Sequence, residues 1–343
     1  MEPEHTMCAG ATAVNFESTT PGVHLSNGGE FLATMKAVRI HDYGGPEVLR
    51  HEDAPQPEPA AGEVLVRVHA AAVNPIDWKV RAGYLKSMIR YPLPMIPGWD
   101  FSGVVEAAGN GVTEWKKGDE VYGRPDLGRD GAYGEYIAVR APEIANKPKS
   151  LDHIHAAAIP LAGLTAWQAI FNVGGLSAGQ KILIHAASGG VGSFAVQLAK
   201  WKGAYVIGTA SARNHDFLRQ LGADETIDYQ SARFEDAVRD VDVVLDSLAG
   251  ETRTRSWQVL KKGGILVSIL GPPSAEEATR YGVRAGSLLV QPNAAELREL
   301  AALADSGKLR TIVETVLPLK EAARAQEINQ TLHTRGKIVL QVV

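Results

Sequence analysis

The stretch Ala186-Ala187-Ser188-Gly189-Gly190-Val191-Gly192 decides how this chain folds. It follows the apolar run Lys181-Ile182-Leu183-Ile184, which reads as a buried strand. It leads into Phe194-Ala195-Val196-Gln197-Leu198-Ala199-Lys200, whose apolar residues recur at helical spacing. Small residues between a strand and a helix let backbone N–H groups approach a pyrophosphate, which then sits at the positive end of the helix. Ala187, Ser188, Gly189, Gly190, Val191 and Gly192 are therefore candidate contacts to a dinucleotide. Because the first glycine of the usual G-x-G-x-x-G pattern is Ala187 here, a purely structural turn stands as the alternative.

Downstream, strand and helix patterns alternate at short intervals. Strands are expected at 204–207, 241–246 and 265–270, and helices at 214–221 and 251–260, with stops at Gly222 and Gly263-Gly264. Short apolar strands joined by helical crossovers make a parallel sheet covered on both faces, a Rossmann-type doubly wound α/β unit. Ligands bind such sheets at the carboxyl ends of the strands. This adds the turns 208–213, 246–248 and 270–271, with Thr209, Ser211, Asp246, Ser247, Leu248, Leu270 and Gly271 as candidate contacts. An NAD site usually places a carboxylate in the turn after the second strand, about 20 residues beyond the first glycine. The turn here is Gly208-Thr209-Ala210-Ser211-Ala212-Arg213, so a hydroxyl and a guanidinium are offered to a 2′-phosphate and NADPH is the expected cofactor. Arg213 also reads as a solvated arginine at a helix start.

Composition narrows the class. Of 343 residues, 45% are hydrophobic and 22% charged, the balance of a globular protein of about two domains. A net charge of −4 leaves no basic footprint for nucleic acid or an anionic membrane, and no apolar run approaches a bilayer span. A single cysteine, Cys8, rules out an internal disulfide or a multi-cysteine zinc site and fits a cytoplasmic location. Residues 1–34 carry four Glu and no Lys or Arg and read as a flexible leader, unlike an Arg-rich transit peptide. From Met35 to about Arg140, short β-prone runs at 37–40, 63–71, 101–107, 120–122 and 136–139 are punctuated by Gly and Pro, which suggests an irregular barrel or sandwich. A helix at 296–306 and strands at 311–313 and 337–342 are expected to return to it.

Several further stretches carry a resemblance: Val73-Asn74-Pro75-Ile76-Asp77, Pro97-Gly98-Trp99-Asp100-Phe101, Gly118-Asp119-Glu120-Val121 and Thr334-Arg335-Gly336-Lys337-Ile338. With the glycine turn, they make the chain resemble the medium-chain dehydrogenase/reductase superfamily from Met35 onward. It looks most like the zinc-free quinone oxidoreductase branch and the NADPH-dependent alkenal/one oxidoreductases. The resemblance implies a GroES-like β-rich catalytic domain (35–158 with 286–343) around a Rossmann domain (159–285), with the active site in the cleft between them. It also implies reduction of a quinone or α,β-unsaturated carbonyl with no metal, a homodimer, and Thr165, Tyr229 and Lys337 as further cofactor contacts. Where zinc-dependent relatives carry Gly-His-Glu, this chain has Gly98-Trp99-Asp100. Asn74 and Lys79 are the expected donors to the acceptor's oxygen. Trp78, Tyr84, Trp99 and Tyr133 are expected to line the pocket, with water or Tyr84 as a later proton source. Competing readings are a helix cap for Asn74-Pro75-x-Asp77, a surface role for Lys79 and core packing for the aromatics. An enoyl-thioester reductase of the same fold and a non-catalytic NADPH-binding sensor are the alternative functions.

Overall fold

A computed structural model describes residues 23–25, 31–89 and 91–343. Two large β-sheet systems and one small sheet make up the strands of the described residues. The first contains seven strands, with Glu63–Val73 at its centre. That strand is long enough to pair with Phe101–Ala108 along one edge. Along the other edge it pairs with Tyr136–Arg140 and then with Lys337–Gln341. Strand Val313–Pro318 lies parallel to Lys337–Gln341, while Glu120–Gly123 and Ile144–Asn146 extend the opposite side. Gly103 is required where the central strands close: a Cβ there would stand 2.1 Å from the Arg67 carbonyl oxygen.

A separate three-stranded sheet is formed by Val23–Leu25, Phe31–Ile40 and Leu49–Pro55. Strand Phe31–Ile40 begins four residues ahead of Met35, so ordered structure starts inside the segment read as a leader. The rest of that expected leader, residues 1–22 and 26–30, lies outside the described residues, as does Cys8.

The second system is a six-stranded parallel sheet in the order Glu225–Asp228, Tyr205–Ala210, Lys181–Ile184, Val241–Asp246, Leu260–Ser268, Arg284–Ser287. Numbered along the chain this is 3-2-1-4-5-6, the dinucleotide-binding order, whose direction reverses between Lys181–Ile184 and Val241–Asp246. Ile182, Leu183, Ile184, Val243, Val244 and Leu245 are all buried, as strands covered on both faces must be. The sixth strand runs to Ser287, and helix Ala294–Asp305 sends Leu297, Leu300 and Leu303 into the same core. The chain thus rejoins the catalytic sheet only at Val313, later than the sequence-based boundary at 285/286.

Candidate functional site

The cofactor turn is built by the end of strand Lys181–Ile184 and the start of helix Gly190–Trp201. Ala186 takes φ +47° and Gly189 occupies the N-cap position with no side chain capping the helix. The first-turn N–H groups are therefore left for an anion, the arrangement a pyrophosphate needs. The glycines have different tasks. A Cβ on Gly192 would lie 2.4 Å from the Ala186 oxygen and 2.7 Å from the Ala187 Cα, whereas one on Gly189 meets only the Ala186 oxygen, at 3.3 Å. Gly192→Ala is expected to destabilise the fold by about 1–3 kcal/mol by prying helix from strand. Gly189→Val is expected to weaken dinucleotide binding while leaving the melting temperature nearly unchanged. Thermal melts paired with cofactor titration check both, and unchanged affinity in a folded Gly189→Val protein would reduce the turn to a structural element.

Asn214, which the sequence reading left out of the site, ties two of its turns together. It is buried, and its amide donates to the Ser188 hydroxyl at 3.2 Å and the Ser211 hydroxyl at 3.3 Å. Arg213 beside it is exposed and makes no hydrogen bond or ion pair among the described residues. The parallel register pairs Ala210 with Asp228, so Ser211 and Tyr229 leave adjacent strands at the same end. Thr209 is buried, its hydroxyl 3.2 Å from His185 Nδ1 and its carbonyl accepting the Ala187 N–H.

The carboxylate of Asp246, expected among the cofactor contacts, is engaged within the protein. It is fully buried, paired with Arg253 at 2.6 Å, and accepts the N–H groups of Leu248 and Ala249. Burial pushes its pKa up, but Arg253 and the two N–H groups outweigh this and hold it below the usual range. Asp246 thereby pins Ala249 at φ +58°, strained for a residue with a side chain, and fixes the turn that presents exposed Leu248. The Ser247 hydroxyl donates to the His185 carbonyl, and Leu270 and Gly271 follow the neighbouring strand. Thr165 likewise turns inward, donating to the Leu161 carbonyl at 2.6 Å.

In the seven-stranded system, strand Glu63–Val73 leads directly into Asn74, the cap of helix Pro75–Arg81. Asp77 Oδ2 accepts the Asn74 N–H at 2.8 Å, so the capping reading holds on the main chain. The Asn74 side chain is not free to meet a substrate. Its Nδ2 donates to Asp100 Oδ2 at 2.8 Å and its Oδ1 accepts from Lys337 Nζ at 2.5 Å, all three residues being buried. Lys337 also bonds Asp100 Oδ2 at 3.1 Å, and Asp100 Oδ1 accepts the Leu161 N–H. Lys337, expected as a cofactor contact, directs two of its three ammonium N–H groups into this network. Its stem and its neighbour do touch the glycine turn. A Cβ on Gly190 would lie 3.2 Å from Lys337 Cδ, and the Gly336 N–H donates to the Ser188 carbonyl at 2.9 Å.

Asp77 is fully buried, and burial raises its pKa to about 7 against the opposing pull of the Asn74 N–H, the Tyr133 hydroxyl and Lys337. The folded state then holds a proton that the unfolded chain releases near pH 4, so stability falls as pH rises from about 4 to about 7. Relative to Asp77→Asn, which lacks this titration, the native chain is expected to lose stability steadily across that window. A difference in urea midpoint that stays flat with pH would refute the assignment.

The aromatic candidates separate into two groups. Trp99 and Tyr133 are fully buried, Trp99 against Tyr91 and Tyr133 bonded to Asp77, so they pack the core rather than line a pocket. Gly98 has to be glycine for this packing, since at φ +99° its Cβ would strike the Tyr133 ring. Trp78 and Tyr84 instead meet edge to face at 6.1 Å near the surface. Lys79 Nζ lies 5.6 Å from the Trp78 ring centre, half-buried, and makes no hydrogen bond or ion pair among the described residues. Burial lowers its pKa below the usual lysine range. Among the described residues no group of three or more His, Cys, Asp or Glu stands close enough to hold a metal ion. His153 stacks on His69 and contacts Ser102 and Glu120.

The alcohol dehydrogenase GroES-like domain matches residues 60–149, and the family described as zinc-binding dehydrogenase matches residues 221–340. The human protein named "NAD(P)H oxidoreductase RTN4IP1, mitochondrial" is 36% identical over 90% of this chain and 89% of its own. The "NADPH-dependent alkenal/one oxidoreductase, chloroplastic" of Arabidopsis thaliana is 35% identical over 94% of this chain and 84% of its own. A solved quinone oxidoreductase from Coxiella burnetii superposes with a TM-score of 0.84 at 39% identity, covering 90% of this chain and all of that one (100%). No helix among the described residues is long and apolar enough to cross a membrane.

Proposed function

The chain belongs to the medium-chain dehydrogenase/reductase superfamily, and from that premise we propose that it reduces a quinone or an α,β-unsaturated carbonyl with NADPH and without a metal ion. At the coarser level it is an oxidoreductase that uses a nicotinamide cofactor. The residues fit that group: an uncapped helix start, glycines that leave room for a pyrophosphate, and Ser211 and Arg213 at the second strand's end. Bound there, the cofactor supplies a hydride to the acceptor's electrophilic carbon.

Lys79 is the observation that carries the acceptor class. As hydride reaches a quinone or an enone β-carbon, negative charge collects on the acceptor's oxygen. A half-buried ammonium with no carboxylate partner complements that charge, and its reduced solvation strengthens the attraction. The Trp78 ring centre lies 5.6 Å from the ammonium, within reach of a cation–π attraction. Asn74, bonded to Asp100 and Lys337, acts one step back by holding the start of the helix that carries Lys79. A proton for the resulting enolate or hydroquinone oxygen comes from water or Tyr84, the exposed hydroxyl on the same side.

Consumption of NADPH and NADH measured against a panel of quinones and enones, with and without chelator, tests the proposal. NADPH-preferring turnover that survives chelation supports it. Silence towards every acceptor, or activity lost with the metal, overturns it. Arg213→Ala is expected to raise the KM for NADPH about tenfold, the low end for a charge-assisted contact because the arginine is exposed, and to leave NADH kinetics unchanged. Equal damage with both cofactors would remove Arg213 from the phosphate site.

A further inference from the structure

Helix Gly190–Trp201 carries the glycine turn at one end and borders a second concave site at the other, about 17 Å away by the rise of its residues. That cavity, of about 520 Å³, is walled by the last turn of this helix, the last turn of helix His215–Leu221 and the segment 307–310 that follows helix Ala294–Asp305. Its size is that of a small-molecule site. Gly307 takes φ +71° and reverses the chain into the segment. Leu309 is 2% exposed and belongs to the core, which anchors the exposed residues on either side of it, Lys308 and Arg310, at the cavity. The Gln197 side chain fixes them further: its Oε1 accepts the Arg310 N–H at 2.8 Å and its Nε2 donates to the Arg310 carbonyl at 3.0 Å.

Charge in this cavity is one-sided. Lys200, Lys308 and Arg310 line it, and no described carboxylate does. Lys200 is already paired with Asp224 at 2.6 Å. The Lys308 ammonium makes no hydrogen bond or ion pair among the described residues, and Arg310 gives up only Nη2, to the Gln220 carbonyl at 2.7 Å. Helix ends do not account for these cations, because the terminal carbonyls have other donors. Those of Leu198, Ala199 and Lys200 accept the N–H groups of Lys202, Ala204 and Gly203, and those of Leu218 and Arg219 accept the N–H groups of Ala223 and Gly222. Trp201 adds an aromatic surface: it is 39% exposed, borders the cavity and is steadied by Trp167 and Phe171, with ring centres 5.9 and 6.2 Å away. We propose that the cavity is a second ligand site, for a phosphomonoester bearing a planar ring, with the phosphate between Lys308 and Arg310 and the ring on Trp201. A nucleoside monophosphate has both parts.

The test is calorimetric titration of 5′-AMP into the full chain at low salt, with and without NADPH at a concentration that saturates its own titration. About one equivalent of AMP is expected to bind with NADPH present. Ribose 5-phosphate, which lacks the ring, is expected to bind at least about fivefold more weakly, the low end for a base stacked on an aromatic side chain. Adenosine, which lacks the phosphate, is expected to bind at least about tenfold more weakly, as is AMP to Lys308→Glu, the low end for a charge-assisted contact at an exposed site. Lys308→Arg is expected to stay near the native affinity, and a native melting temperature checks that each variant is folded. Equal affinity for AMP, ribose 5-phosphate and inorganic phosphate would mean an adventitious ion only and overturns the proposal. An AMP affinity that Lys308→Glu leaves unchanged also overturns it, because the phosphate then lies elsewhere. So does binding that vanishes once NADPH is present, which would seat the nucleotide at the glycine turn. Absence of AMP binding in either condition overturns it outright.

Discussion

Replacing Lys337 by methionine is expected to cost the fold about 3–5 kcal/mol, the loss typical when one partner of a buried ion pair is removed. Both ends of the pair are out of water, Lys337 at 3% and Asp100 at 0% exposure. Without the ammonium, Asp100 keeps only the Leu161 N–H and the Asn74 amide, and Asn74 Oδ1 loses its donor. Burial already raises the Asp100 pKa despite Lys337, which opposes the rise most strongly among its neighbours. In the variant Asp100 therefore takes a proton more readily when folded, and the stability deficit grows as pH rises above the usual carboxylate range. Urea denaturation at pH 5 and pH 8 reads this directly. Adding Asp100→Asn should restore most of the loss, since the stranded charge is gone. A double variant no more stable than Lys337→Met would show that packing, not charge, holds the site.

Lys79→Met is expected to lower kcat by about 10²–10³ with either cofactor, the effect of deleting one donor to a developing oxyanion. Stability should hold, because the Lys79 ammonium makes no hydrogen bond or ion pair among the described residues. The pH profile separates an electrostatic role from a merely spatial one. Only the ammonium form stabilises the oxyanion, so native kcat/KM should fall on the alkaline side at a pH below the ordinary lysine range. Lys79→Arg should recover part of the rate and move that fall to higher pH. Full turnover in Lys79→Met would remove the residue from the mechanism.

How much of this was legible in the sequence depended on how far each residue's partner lies along the chain. The glycine turn and the strands at 181–184 and 241–246 could be read directly, because local sterics demand small residues in one and burial on two faces demands apolar runs in the others. Edge strands Glu225–Asp228 and Arg284–Ser287 escaped, since exposed and polar positions break the apolar signal. Asn74 was legible as a residue of consequence but not as an occupied one, because its partner Lys337 lies 263 positions away. The pairing of Asp246 was hidden although its partner is near: Arg253, seven residues on, reaches back to neutralise it. Asn214 could have been suspected from the serines in the two turns it joins, since an amide serves both at once.

The insertion of Lys337–Gln341 beside Glu63–Val73 dictates an order of events in time. A ribosome releases the two strands more than 260 residues apart, so the earlier one emerges with half of one edge unpaired and must wait through synthesis of the whole parallel sheet. The middle of the chain, whose six strands are contiguous in sequence, can collapse first on contacts of shorter loop length. Catalytic competence then arrives last and all at once, because the strand that closes the early sheet is also the one that delivers Lys337 to Asn74 and Asp100. A nascent chain stalled before residue 337 would carry a formed nucleotide sheet beside an open, aggregation-prone edge.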